Sequence, residues 1–149
     1  MITYIKGDLL KTNCEVIAHG CNCKCTMKSG IAKVITKKFS RVRAADNTFM
    51  GGYTTKHKLG EVDFVNVDSK KIKVVANCYT QYDYSRHTKP LDYDALDICL
   101  EKLKEFVVEN DYTLALPKIG CGLAGGNWGK VEGMINDVFG DIEVKVYVL

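Results

Sequence analysis

A strand, a glycine-rich loop and a helix follow one another directly over residues 113–139, and this succession constrains the chain more than any other feature. Residues 113–117 are short and apolar, the pattern of a buried strand. The loop Gly120-Cys121-Gly122-Leu123-Ala124-Gly125-Gly126 comes next, and Asn127 is placed to cap a helix that buries Val131, Met134, Ile135, Val138 and Phe139. Gly140 is the expected stop. Glycines let backbone N–H groups approach a phosphate closely, and the start of the helix adds unpaired N–H groups and a favourable dipole. No Gly-Lys-Ser/Thr follows, so this is not the phosphate loop of a nucleoside triphosphatase. Nor do the glycines sit at the first strand turn, where a dinucleotide fingerprint would place them. A purely structural tight turn is the alternative reading.

The rest of the chain alternates strand and helix signals, which predicts an α/β fold in a single domain spanning residues 1–149. Strands are expected at 2–6, 15–20, 61–67, 72–78 and 143–149. Asp68-Ser69-Lys70-Lys71 reads as a hairpin turn, so the third and fourth strands should pair antiparallel within a mixed sheet. A helix over 29–39 shows Ile31, Val34, Ile35 and Phe39 at helical spacing. The longest helix runs over 93–109, with Leu96, Cys99, Leu100, Leu103, Phe106 and Val107 as its apolar stripe. Pro90 precedes it, and Asp92 and Asp94 suit its positive end.

Composition narrows the function classes. No apolar run approaches the roughly 18 residues needed to span a bilayer. The N-terminus lacks a basic segment followed by a long apolar one, so a cytoplasmic location without a membrane partner is expected. The seven cysteines include Cys14, Cys78 and Cys99 in apolar surroundings, which reads as reduced core packing. Residues 1–90 hold 16 lysines and arginines against 7 acidic residues, whereas 91–149 hold 5 against 11. A basic half suits an anionic ligand. Lys37-Lys38, Arg41 and Lys70-Lys71 nevertheless read as solvated surface, and no RNA-binding aromatic motif is present, so nucleic acid is not an expected partner. Cys21-x-Cys23-x-Cys25 beside His19 lacks the second pair that zinc sites use, so no metal and no cofactor is expected. His57 and His87 lie in polar segments and read as solvated.

A second candidate loop, His19 to Ala32, also leads from a strand to a helix, and two such loops on neighbouring strands could grip a pyrophosphate from both sides. Four stretches then make the chain resemble a macro domain, an ADP-ribose-binding fold. They are Ile2-Thr3-Tyr4-Ile5-Lys6-Gly7-Asp8-Leu9-Leu10, His19-Gly20-Cys21-Asn22-Cys23, Gly30-Ile31-Ala32, and the run from Pro117 to Trp128. Within that family the chain is most similar to the ADP-ribose-1″-phosphate phosphatases of fungi, bacteria and phages. The resemblance implies a three-layer α/β/α fold with a mixed central sheet. It implies that Asp8, beside Leu9, accepts from the adenine amino group and that Asn22 bonds the distal ribose. Ser29, Gly30, Ile31 and Ala32 would face that ribose and the pyrophosphate. Ile119, Gly120, Cys121, Gly122, Leu123, Ala124 and Gly125 would wrap the phosphates.

The catalytic candidates are His19, where the resembled phosphatases keep a functional histidine, and an acidic residue before the long helix, Asp92 in preference to Asp83. A buried histidine at a strand end and a plain helix cap are the structural alternatives for these positions. Three departures matter. Related phosphatases often have a glycine run where this chain has Lys28-Ser29-Gly30, and often Asp where it has Asn127. A sister branch that removes ADP-ribose from proteins places an aspartate where this chain has Ala124, and uses a lysine for which Lys89 is the nearest candidate. The leading expectation is a monomeric enzyme that hydrolyses the phosphate monoester of ADP-ribose-1″-phosphate. A non-catalytic ADP-ribose reader and a hydrolase of ADP-ribosylated macromolecules are the alternatives.

Overall fold

Apolar runs at 16–22 and 74–81 are buried on both sides, as strands are when helices cover both faces of a sheet. They form the centre of a six-stranded sheet in the computed structural model, which describes residues 1–25, 27, 30–82, 91–122 and 124–149. The strands are β1 (Ile2–Lys6), β2 (Val16–Asn22), β3 (Val62–Asn66), β4 (Val74–Gln81), β5 (Leu114–Leu116) and β6 (Val144–Val148). Their order is β1-β6-β5-β2-β4-β3. All neighbours pair parallel except β3 with β4, which form the antiparallel hairpin that the Asp68–Lys71 turn signals.

The helices are α1 (Gly30–Lys38), α2 (Ser40–Thr48), α3 (Tyr93–Asn110) and α4 (Trp128–Phe139). One face of the sheet packs Val16, Ala18, Ala76 and Cys78 against Leu96, Leu100 and Leu103 of α3 and Val131 and Ile135 of α4. The other packs Ile17, Cys21, Val75 and Tyr79 against Ile35 of α1 and Val42 of α2. These are the three layers of an α/β/α fold.

Four details differ from the sequence reading. Val34, placed on the apolar stripe of α1, is 48% exposed; Ile35 alone in that helix is fully buried. Phe39 is buried but leaves helical geometry at φ −124° and ψ 86°, so it separates α1 from α2 instead of ending one helix. The helix α2 carries no recognisable stripe, because only Val42 and Asp46 are buried along it. Strands β2 and β4 also run further than expected, which brings Asn22 and Gln81 to the same sheet edge.

Asn127 caps α4 as the sequence implies: its Oδ1 accepts from the Lys130 N–H at 3.0 Å. Asn127→Ala should therefore lower stability by about 1 kcal/mol. Urea unfolding would show this as a reduced midpoint with an unchanged slope; an unchanged midpoint would mean that the cap contributes nothing in solution.

Candidate functional site

Five parallel strands put their carboxyl ends on one edge, where open α/β sheets bind ligands. The segments leaving β1, β2, β4 and β5 all start there. After β1, Gly7 is tied to Val148 by its N–H (2.8 Å), and Asp8 caps a short 3₁₀ turn over Leu9–Lys11. One carboxylate oxygen of Asp8 accepts from the Leu10 N–H at 2.9 Å. Leu9 and Leu10 are buried and pin the turn, while Asp8 itself is exposed.

The glycine-rich loop after β5 is braced from within. Cys121 N–H donates to Lys118 (3.1 Å), Gly125 N–H to Gly122 (3.1 Å) and Gly126 N–H to Gly120 (2.9 Å). Ile119 and Ala124 are buried and anchor it to the core shared with α3 and α4. Leu91, just before α3, is the outer clamp: its N–H donates to Ala124 (3.3 Å) and its side chain fills the space a Cβ would take at Gly120 or Gly126. Gly120 also has φ +75°, which favours glycine. Gly122 is exposed, and a Cβ there would meet nothing. The N–H groups of Gly120, Gly122 and Ala124 have no partner among the described residues. Free backbone N–H groups in a glycine-rich loop are donors that an anion can use.

The loop after β2 lies beside it. A register shift between Cys21 and Asn22 precedes the last β2–β4 pair, Asn22 with Gln81, and Asn22, which is buried, accepts from the Lys24 N–H at 2.9 Å. Gly30 opens α1 with φ +61° and open space around it, and the N–H groups of the first turn, including Ile31 and Ala32, have no acceptor within the helix. Ser29, Asp83, Lys89 and Leu123 lie outside the described residues. Gly20, near the end of β2, is approached closely: a Cβ there would lie 2.8 Å from Thr80 Oγ1 and 3.9 Å from Gly120 N. Thr80 Oγ1 is buried and has no hydrogen-bond partner among the described residues. Neither Thr80 nor Leu91 carries a local sequence signal of its place at this edge; only the folded sheet brings them there.

His19 and Asp92 are not brought together. His19 is fully buried, and its ring faces α2, where Nε2 lies 2.7 Å from Asn77 Oδ1 and 3.6 Å from Cys21 Sγ. Asn77 Nδ2 in turn donates to the Val42 carbonyl, so its Oδ1 is the acceptor and the neutral ring carries its proton on Nε2. Burial pushes the His19 pKa down to about 4, against the opposing hydrogen bond from Asn77. Asp92 belongs to the opposite layer. It caps α3, accepting from the Ala95 N–H at 3.0 Å, and its own N–H donates to the Thr80 carbonyl at 2.8 Å. It adjoins Leu91 and thus the glycine loop. The thiols of Cys21 and Cys121 are both raised by burial, and Lys118 opposes the shift at Cys121.

The model of the macro domain family matches residues 18–135. The chain belongs to the macro domain family. It is 34% identical to human ADP-ribose glycohydrolase OARD1, over 99% of this chain and 91% of that protein. It is 28% identical to the ADP-ribose 1″-phosphate phosphatase of Debaryomyces hansenii, over 100% and 99% of the two chains. A solved structure from Bacteroides thetaiotaomicron superposes with a TM-score of 0.88 at 33% identity, covering 100% of this chain and 98% of that one. Among the described residues, no helix of this macro domain is long and apolar enough to cross a membrane.

Proposed function

We propose that this macro domain binds ADP-ribose-1″-phosphate at the carboxyl edge and hydrolyses its phosphate monoester to ADP-ribose and phosphate. The observation that carries the reading is the braced glycine loop beside the end of β2, whose Gly120, Gly122 and Ala124 N–H groups have no partner among the described residues. Such donors stabilise charge on a phosphate without reorganising during the reaction. Asp8 has one carboxylate oxygen beyond its capping bond for the adenine amino group. Asn22 serves the distal ribose, and the loop backbone serves the phosphates.

The acid–base role falls to Asp92, the carboxylate next to the glycine loop. It takes a proton from water as the water oxygen attacks phosphorus, and returns it to the C1″ oxygen as the phosphorus–oxygen bond breaks. His19 acts as a positioning residue. Its buried bond to Asn77 holds the end of β2, from which Gly20 and Asn22 extend.

Removal of ADP-ribose from a macromolecule is the second reading, favoured by the 34% identity to a glycohydrolase. Ala124 supplies no carboxylate at the position where that branch has one. Phosphorus NMR of the protein with ADP-ribose-1″-phosphate separates the two. The expected result is growth of inorganic phosphate over a heat-killed control, slowed by about two orders of magnitude in Asp92→Asn. Shifted pyrophosphate signals without turnover would move the assignment to the second reading or to a reader. Unchanged signals would remove the ligand.

A further inference from the structure

Lysine is almost never fully buried unless it is paired. Lys58 has no exposed surface, yet among the described residues no carboxylate oxygen lies within 4.0 Å of its Nζ. Its hydrogen-bond partner is a thiol: Nζ lies 3.5 Å from Cys25 Sγ. Below it is the ring of Tyr79, 5.7 Å from Nζ to the centroid, and the Tyr79 hydroxyl is committed to Asp46 at 2.5 Å. The buried Lys58 nitrogen is thus hydrogen-bonded to one sulfur, with the Asp46 carboxylate as the charge nearby. Cys25 is only half-buried, so small oxidants reach it, whereas Cys21 and Cys23 are closed off. Its backbone is held in the left-handed region at φ 58°, and Sγ also lies 3.5 Å from the Asp46 carbonyl and 3.6 Å from that of Gly52. Both reacting atoms are therefore confined before any chemistry occurs.

We infer that Cys25 and Lys58 form a reversible nitrogen–oxygen–sulfur crosslink under oxidising conditions, fastening the β2–α1 loop to the turn before β3. One thiol, one ammonium and one dioxygen give the S–O–NH bridge, one water and one proton. The S–H bond and two N–H bonds break, and S–O and N–O bonds form. Sulfur and nitrogen each lose two electrons, and dioxygen accepts all four. With hydrogen peroxide as oxidant, two molecules are consumed and three waters leave. Excess dithiol reverses the change, restoring thiol and amine and releasing the bridging oxygen as water.

The bridge joins residues 33 apart in sequence, and Cys25 lies in the loop between Asn22 and the start of α1, so it would couple redox state to that loop. The crosslink itself does not depend on which ADP-ribose derivative that site takes. Its test is intact mass spectrometry of the full chain after exposure to air or hydrogen peroxide. The expected product is heavier by about 14 Da, yields a joined peptide pair containing Cys25 and Lys58, and reverts with dithiothreitol. Its melting temperature should rise by roughly 5 °C over the reduced form. Cys25→Ser should abolish the added mass, as should Lys58→Met, which keeps a buried stem without the amine. The inference is overturned by an added mass that survives in Cys25→Ser. It is equally overturned by a loss of about 2 Da from a disulfide, by a gain of about 16 or 32 Da on Cys25 alone, or by no change under either oxidant.

Discussion

Gly126→Ala is expected to cost about 3 kcal/mol of stability and to abolish measurable ADP-ribose binding. The new methyl would run into Leu91 Cδ2 and lie 2.6 Å from the carbonyl oxygen of Gly120. The leucine end could move, but the carbonyl cannot without breaking the Gly126 N–H bond to it. Opening that bond also loosens Leu91, which holds Ala124 and precedes the α3 cap. Overpacking of this kind costs about 1–3 kcal/mol, and each lost hydrogen bond adds about 1. Gly122→Ala is the matched control. Its Cβ meets nothing, so stability should change by less than about 0.5 kcal/mol, while a ligand resting on that backbone would be displaced. Urea unfolding and calorimetric titration with ADP-ribose give both quantities for both variants. Wild-type affinity in folded Gly126→Ala would mean that this loop does not hold the ligand.

What the sequence reveals here is what local chemistry determines. The strands β1, β5 and β6, the hairpin of β3 with β4, and the caps Asn127 and Asp92 fall where periodicity and capping rules place them, because each depends on residues close in the chain. The helix α2 escapes those rules: its Arg-Val-Arg-Ala-Ala run buries one apolar side chain and one aspartate, so no stripe marks it. Val34 shows the converse, an apolar residue at helical spacing that the packing of α1 turns outward.

The candidate site divides in the same way. Glycines and strand ends are visible in the sequence, but the direction of a side chain in a strand buried on both faces is not. Strand β2 has no polar–apolar alternation to show that His19 turns toward α2 and Gly20 toward the glycine loop. Leu91 reads as an ordinary apolar residue before a helix; its importance arises from two glycines about 30 residues away. The buried Lys58 likewise has no signal, because its neighbours Cys25, in the loop after β2, and Tyr79, in β4, are distant from it in the sequence.

The burial of His19 makes a second large effect, a loss of stability in mild acid. Its pKa in the folded chain is about 4, below the ordinary 6.5, because the interior disfavours the charged ring. Above about pH 6.5 both states hold a neutral ring and the full stability is present. Between 6.5 and 4 the unfolded chain takes up a proton that the folded chain refuses, so stability falls as the pH falls. At 1.36 kcal/mol per pKa unit, this amounts to about 3 kcal/mol by pH 4. Asp46 and Asp63 work in the opposite sense. Burial raises both, so the folded chain binds their protons first and gains stability as the pH falls. The His19 contribution must therefore be read as a difference between proteins. His19→Gln can still donate to Asn77 but does not titrate. Urea unfolding of both proteins from pH 7.5 to 4 should show their stabilities converging by about 3 kcal/mol toward the acid end. Parallel curves would mean that the ring accepts a proton inside the folded chain. That would make His19 accessible to solvent and ligand, and return it from positioning the end of β2 to a direct part in proton transfer.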